Sequence, residues 1–349
     1  MDYFIFSLGV PQRNELGNVI PLTFTVTNFS NVDIDLLKRL LPLEGMKGNI
    51  FKVIDPNGEV LRYDGRLFKR GTPQKEEYVT IKSGASISTV IDLTEFYFFE
   101  KAGDYTVELN TGIQDFILLD NKENKDVVKD HSNKHKISLE TQKFTIEKTD
   151  LDHKPTLGMR FRKEEGRLIK LRKEKIVDED APKPPNIEGA TELQKKMIST
   201  AHNKAYQVVG DSITNLQNGK DSNPEYAKWF GVLNKFNLSV VTKVLQSVSG
   251  ALQKDKITYV VNGANCDPGD FAYTIYQTRT VYLCSGFWTA KPNGYDSQLG
   301  TIIHELTHAT SDTEDYIYGI ESALQLALDE PAKAINSADN FEYFSETID

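Results

Sequence analysis

The stretch GTIIHELTHATSDTEDYIYG (residues 300–319) decides how the chain is read. His304 and His308 stand four residues apart, and Glu305 follows the first. On a helix, positions i and i+4 share one face. Both imidazoles then point the same way, as two ligands of one zinc ion must. Leu299, Ile302, Ile303 and Leu306 recur at helical spacing and form an apolar stripe. That stripe anchors the helix in a core while the histidines face a cleft. Asp296 or Ser297 is placed to cap its start. Glu305 is the candidate general base for the attacking water. A catalytic zinc takes three protein ligands and keeps one position open. No histidine follows His308, so the third ligand is a carboxylate among Asp312, Glu314, Asp315 and Glu321.

Working outward, the chain from about residue 187 is helical in pattern. Leu193, Met197, Ala201, Ala205 and Val208 trace one face of a long helix, and a second helical run covers 224–252. ITYVVNG and RTVYLCSGFW read as two strands, and the last 55 residues return to helix. Residues 187–349 hold 12 lysines and arginines against 20 aspartates and glutamates, almost all of the net charge of −9. That balance argues against a general nucleic-acid binder, which carries a basic face.

Residues 1–147 read as all-β. VIPLTFTVTNFS alternates, with Leu22, Phe24 and Val26 on one face and Thr23, Thr25 and Thr27 on the other. Asp55-Pro56-Asn57-Gly58 divides two apolar runs as a hairpin turn does, and Ser83-Gly84 repeats the pattern. GDYTVELN and KFTIE add short alternating runs, which together predict a β-sandwich. Residues 148–186 read as a linker containing Pro155, Pro182, Pro184 and Pro185. Within it, residues 159–175 carry eight lysines and arginines against three glutamates, either a solvated linker or short basic helix, or a protease-sensitive connection. At 349 residues the chain is long enough for two domains, and it has no apolar run long enough to span a membrane. The N-terminus lacks the layout of a signal peptide as written. His131, His135, His153 and His202 read as surface or packing residues.

The motif and its surroundings resemble the aspzincins, the deuterolysin and peptidyl-Lys metalloendopeptidase family. Its pattern is HExxH followed by GTxDxxYG. Here Asp312 stands in place of the first glycine, and the gap after the second histidine is short. The resemblance implies one zinc ion per chain held by His304, His308 and Asp315. It gives Glu305 the proton transfers and Tyr318 a hydrogen bond to the oxyanion. Trp229-Phe230-Gly231, the segments NGANCDPGDFAYTIY and TVYLCSGFW, and PAKAINSADNFEYFSE (331–346) are also similar to family stretches. In the last, Asp339 and Glu342 match an acidic pair that binds a lysine at P1′. The resemblance implies a disulfide between Cys266 and Cys284, which favours export. NVDIDLLKRLLPLEG, RYDGRLFKRG and GASISTVIDLTEFYFFEKAGDYTVEL resemble the family's β-rich propeptide.

The expected architecture is α+β in two domains. Residues 1–147 are a β-sandwich prodomain and 148–186 a basic processing linker. Residues 187–349 form a mainly α zincin-like metallopeptidase domain with a small β-sheet. The expected function is a secreted, monomeric zinc endopeptidase, made as a zymogen inhibited by its own prodomain. It acts on proteins or peptides, with no nucleic-acid or membrane partner, cleaves before lysine or arginine, and processes itself between Met159 and Asn186. A segment lying across the zinc, or a lysine in the acidic pocket, would each block the cleft. A reading of another class is a non-catalytic binding or adhesin-like protein with a degenerate protease domain, which zinc content would tell apart.

Overall fold

The computed structural model describes residues 3–119, 141–171 and 181–349. His131, His135 and residues 172–180 of the expected processing region lie outside the described residues. The chain divides into two compact units. One is Met1–Gly65 with Pro73–Arg160, and the other is Arg66–Thr72 with Phe161–Asp349.

In the first unit, β1 (Phe4–Gly9), β3 (Pro21–Asn28) and β8 (Ser86–Asp92) form an antiparallel sheet in the order β1-β3-β8. A second sheet runs β10 (Phe116–Leu119), β4 (Asp33–Leu37), β7 (Tyr78–Ile81). A third runs β2 (Arg13–Glu15), β11 (Gln142–Glu147), β9 (Gly103–Leu109), β5 (Phe51–Ile54). The sequence places these strands in a sandwich; hydrogen bonding sorts them into three sheets. Alternation works as its physics requires: Leu22, Phe24 and Val26 are fully buried. The opposite face carries hydroxyl pairs, Thr25 with Ser88 and Thr27 with Ser86, each at 2.7 Å. At Asp55–Gly58 the Asp55 carboxylate accepts the amides of Asn57 and Glu59, as in a tight turn. Ser83-Gly84 does not close a hairpin: β7 before it and β8 after it belong to different sheets. Arg39 and Glu77 form a buried two-pronged ion pair at 2.7 and 2.8 Å. His153 Nδ1 lies 3.1 Å from the Phe99 carbonyl, and its ring packs beside Phe98.

In the second unit, β6 (Arg66–Arg70), β12 (Asn186–Glu188), β13 (Thr258–Val261), β14 (Asp270–Ile275) and β15 (Thr280–Leu283) form one sheet in the order β12-β13-β15-β14-β6. β12, β13 and β15 are parallel, and β14 runs antiparallel to both β15 and β6. A disulfide joins Cys266 and Cys284 at the open end of the β14–β15 hairpin. The linker region is helical over α1 (Leu157–Leu171).

The remaining helices are α2 (Glu192–Asn218), α3 (Pro224–Phe230), α4 (Lys235–Lys254), α5 (Ser285–Thr289), α6 (Gln298–Ser311), α7 (Ile320–Asp329), α8 (Pro331–Ala334) and α9 (Ala338–Ile348). The predicted face of α2 shifts at its first turn. Leu193 is 69% exposed, and the buried row runs from Ile198 through Ala201, Ala205, Val208 and Val209 to Leu216. The run expected over 224–252 breaks into α3 and α4 at Gly231, whose φ is +75° and whose Cβ position would lie 2.4 Å from the Ala327 carbonyl oxygen. Periodicity alone does not reveal such a break. Trp229, Phe230, Phe341 and Phe344 share one core with the stripe Leu299, Ile302, Ile303 and Leu306, all fully buried. Among the described residues no helix is long and apolar enough to cross a membrane.

Candidate metal centre and active site

Ser297 caps α6, its hydroxyl accepting the Gly300 amide. Asp296, the other expected cap, has φ of +54° and turns elsewhere. Gly300 lets α9 approach: a Cβ there would lie 2.0 Å from Glu346 Oε1. That contact sets α9 across the histidine face of α6. At its other end, α6 stops at Asp312 in the left-handed conformation, and the chain turns back. Glu314 is then pinned between Asn336 and Ala338 by two backbone hydrogen bonds of 2.8 and 3.1 Å, which aims Asp315 at α6.

His304 Nε2 and His308 Nε2 lie 3.1 Å apart, and Asp315 Oδ1 is 3.1 Å from the first and 3.2 Å from the second. All three residues are buried, and Asp315 Oδ1 makes no hydrogen bond. Tetrahedral coordination at about 2.0–2.1 Å separates donor atoms by about 3.3 Å, so the triangle fits one zinc ion. Of the open alternatives, Asp312 caps the helix and Glu321 lies on the exposed start of α7. Of these four carboxylates, Asp315 is the one that meets the two imidazole Nε2 atoms.

The outer ring nitrogens are also tied. His308 Nδ1 lies 2.7 Å from the Thr313 carbonyl, which fixes the tautomer that leaves Nε2 free to ligate. His304 Nδ1 faces Asp339 Oδ1 at 3.0 Å and Glu342 Oε2 at 3.2 Å. Burial opposes ionisation of Asp315, yet His308 and His304 hold its carboxyl well below the usual range. Burial pushes Glu305 up to about 8, with the Asp315 charge adding to the rise.

Asp339 and Glu342 lie on one face of α9, only 1% and 0% exposed. Between them sits Lys69 of β6, a residue the sequence reading did not single out. Its Nζ is 2.8 Å from Glu342 Oε2, 3.2 Å from Asp339 Oδ1 and 2.9 Å from Asp296 Oδ1. The Tyr343 hydroxyl donates to Asp296 Oδ1 at 2.9 Å, and the ammonium lies 4.9 Å from the Tyr343 ring centre. Burial favours loss of the lysine proton, but Asp339 and Glu342 hold its pKa well above the ordinary value. Burial likewise works against Asp339, and Lys69 holds that carboxyl below its usual range. Glu346 behind them is pushed up to about 9 by burial and by Glu342.

The backbone of β6 is held at the same centre. The Lys69 amide donates to Glu305 Oε1 at 2.9 Å, and the Phe68 amide to Asp315 Oδ2 at 3.1 Å. Tyr318 is 6% exposed, with the Arg70 guanidinium 5.9 Å from its ring centre. Nothing local in RYDGRLFKRG marks Lys69. Its partners lie more than 220 residues away in sequence. The cue available was an acidic pair expected to hold a lysine, with lysines abundant upstream.

Two imidazoles and a carboxylate around one point, with a glutamate beside them, make the donor set of a zinc-dependent hydrolase. A family model described as aspzincin M35, lysine-specific metallo-endopeptidase, matches residues 215–346. The peptidyl-Lys metalloendopeptidase of Pleurotus ostreatus is 32% identical over 161 residues, covering 45% of this chain and 94% of that protein. That of Grifola frondosa is 28% identical over 349 residues, covering 96% and 90%. An extracellular protease of Aeromonas hydrophila is 26% identical over 333 residues, covering 94% and 88%. The chain belongs to the aspzincin family of metallo-endopeptidases, a family that implies a zinc cofactor.

Proposed function

We propose that this chain is a zinc endopeptidase that cleaves on the amino side of lysine, and of arginine where it fits, and is made as a zymogen. His304, His308 and Asp315 hold one zinc ion, which supplies Lewis-acid chemistry when bound. Glu305 takes the proton of the attacking water and delivers it to the leaving amine. Tyr318 donates a hydrogen bond to the oxyanion. Asp339 and Glu342 select the P1′ side chain, because two buried carboxylates beside each other favour a cation between them.

The observation that carries this reading is Lys69. Its ammonium lies between Asp339 and Glu342 while its amide nitrogen lies against Glu305. Those are the positions that a P1′ side chain and the leaving nitrogen of a substrate require. The same observation supports autoinhibition, with Arg66–Arg70 occupying the cleft until processing. On this reading residues 1–147 are the β-sandwich prodomain, 148–186 the processing region and 187–349 the protease. The enzyme cuts itself between Met159 and Asn186. The name of the Aeromonas relative and the Cys266–Cys284 disulfide support export, and the mature enzyme acts as a monomer on proteins or peptides.

Glu305→Ala should lower turnover by about 10²–10⁴-fold or more while zinc content stays near one per chain. Asp339→Ala should relax the preference for lysine in a peptide mixture. An active Glu305→Ala protein, or an unchanged cleavage profile in Asp339→Ala, would each remove the corresponding role.

A further inference from the structure

We propose that Asp270 forms a second acidic subsite, which selects a basic residue, above all arginine, directly after the P1′ lysine. This rests on the reading that the chain cleaves before lysine and that β6 lies in the cleft as a substrate does.

The pairing of β6 with β14 sets the subsites. Tyr273 stands opposite Phe68, Ala272 opposite Lys69 and Asp270 opposite Arg70. With Lys69 at P1′, Phe68 takes P1 and Arg70 takes P2′. Successive side chains of a regular strand point to opposite faces, so one of two adjacent basic residues would ordinarily reach solvent. Here both are buried, Lys69 at 0% and Arg70 at 2% exposed. The register shifts between Asp270 and Ala272, leaving Phe271 as the extra residue of a bulge. Bulges re-aim side chains, and this one lies where Asp270 meets Arg70.

Arg70 Nε donates to Asp270 Oδ1 at 3.1 Å, with side chains 1% and 0% exposed. Asp270 is fixed in place before any ligand arrives: its other oxygen accepts the Asp267 amide at 2.9 Å, and its own amide donates to the Asp267 carbonyl at 3.1 Å. The adjacent Cys266 is bonded to Cys284. The guanidinium also lies 5.9 Å from the ring centre of Tyr318. A rigid carboxylate and an aromatic ring suit the flat guanidinium better than an ammonium. A buried carboxylate likewise rejects an acidic side chain.

The test uses the full chain after its processing, completed where needed by trypsin that is then blocked with a serine-protease inhibitor. Peptides identical but for Arg, Lys, Ala or Glu after a Phe-Lys pair are compared by kcat/KM. Arginine should exceed alanine roughly tenfold, and glutamate should fall below alanine. Asp270→Asn should bring the four peptides close together while the preference for Lys over Ala at P1′ persists. Should that variant fail to fold, the wild-type profile decides alone. Cleavage before lysine with no preference at P2′ overturns this proposal and leaves the P1′ reading standing. Loss of the lysine preference itself, or no cleavage of any peptide, overturns both.

Discussion

At the scale of single residues, the second unit buries ionisable groups whose state is set by their neighbours. His202 is fully buried, with Nδ1 2.9 Å from the Tyr259 hydroxyl and Nε2 3.1 Å from the Lys183 carbonyl. Burial lowers its pKa from 6.5 to about 4. The unfolded chain therefore takes up a proton near pH 6.5 that the folded chain refuses until about pH 4. Stability is complete above pH 6.5 and falls as pH drops through that window. A shift of this size is worth about 3 kcal/mol. His202→Gln should weaken the fold at neutral pH yet flatten its acid-side decline, as followed by denaturant unfolding from pH 7 to pH 4. An acid-side slope identical to wild type would contradict this. The sequence left His202 as a surface or packing residue of a helix; its contacts with Tyr259 and Lys183, made only by tertiary packing, decide between the two. Lys69 was not legible, because what distinguishes it is a set of carboxylates brought to it only by tertiary folding.

At the scale of elements, local signals carried most of what could be read. The α6 stripe and the stacking of His304 over His308 follow from spacings of three and four residues, while the cap was narrowed to Asp296 or Ser297 and the structure shows Ser297. Asp315 was left among four carboxylates by spacing alone, since a loop has no period; the pairing of Glu314 with residues 336 and 338 selects it. The β14 bulge and the sorting of strands into sheets depend on long-range pairing, which alternation does not encode. Gly231 is the sharpest case. Its φ of +75° with ψ of −148° is a conformation that side chains other than glycine's avoid, and a Cβ would meet backbone rather than a movable side chain. Gly231→Ala should cost about 2–4 kcal/mol and lower the unfolding midpoint by roughly 5–15 °C. A midpoint within a degree or two of wild type would show that the α3–α4 junction tolerates a side chain.

At the scale of the whole molecule, the division of the chain was legible only as a change of period near residue 187, whereas the compact units part between Arg160 and Phe161, inside the expected linker. That Arg66–Thr72 belongs with the second unit was not, because the heptapeptide lies within an otherwise continuous β pattern. Its placement gives the zymogen reading its physical content. Asp339 and Glu342 hold Lys69, and on the proposed reading the same carboxylates would hold a substrate lysine, which would join inhibition to specificity. They also face His304 Nδ1, so whatever cation fills the pocket lies close to the metal centre.

The central claim is that zinc chemistry at His304, His308, Asp315 and Glu305 severs the chain before a lysine within residues 159–186. Intact masses of the purified chain, followed over time with and without a zinc chelator and beside Glu305→Ala, test it most directly. The wild-type chain should break in that region before a lysine, while the chelated and variant chains stay whole. Cleavage that continues unchanged in the chelated or Glu305→Ala chain would contradict it, as would a wild-type chain that neither breaks nor cuts an added lysine-containing protein.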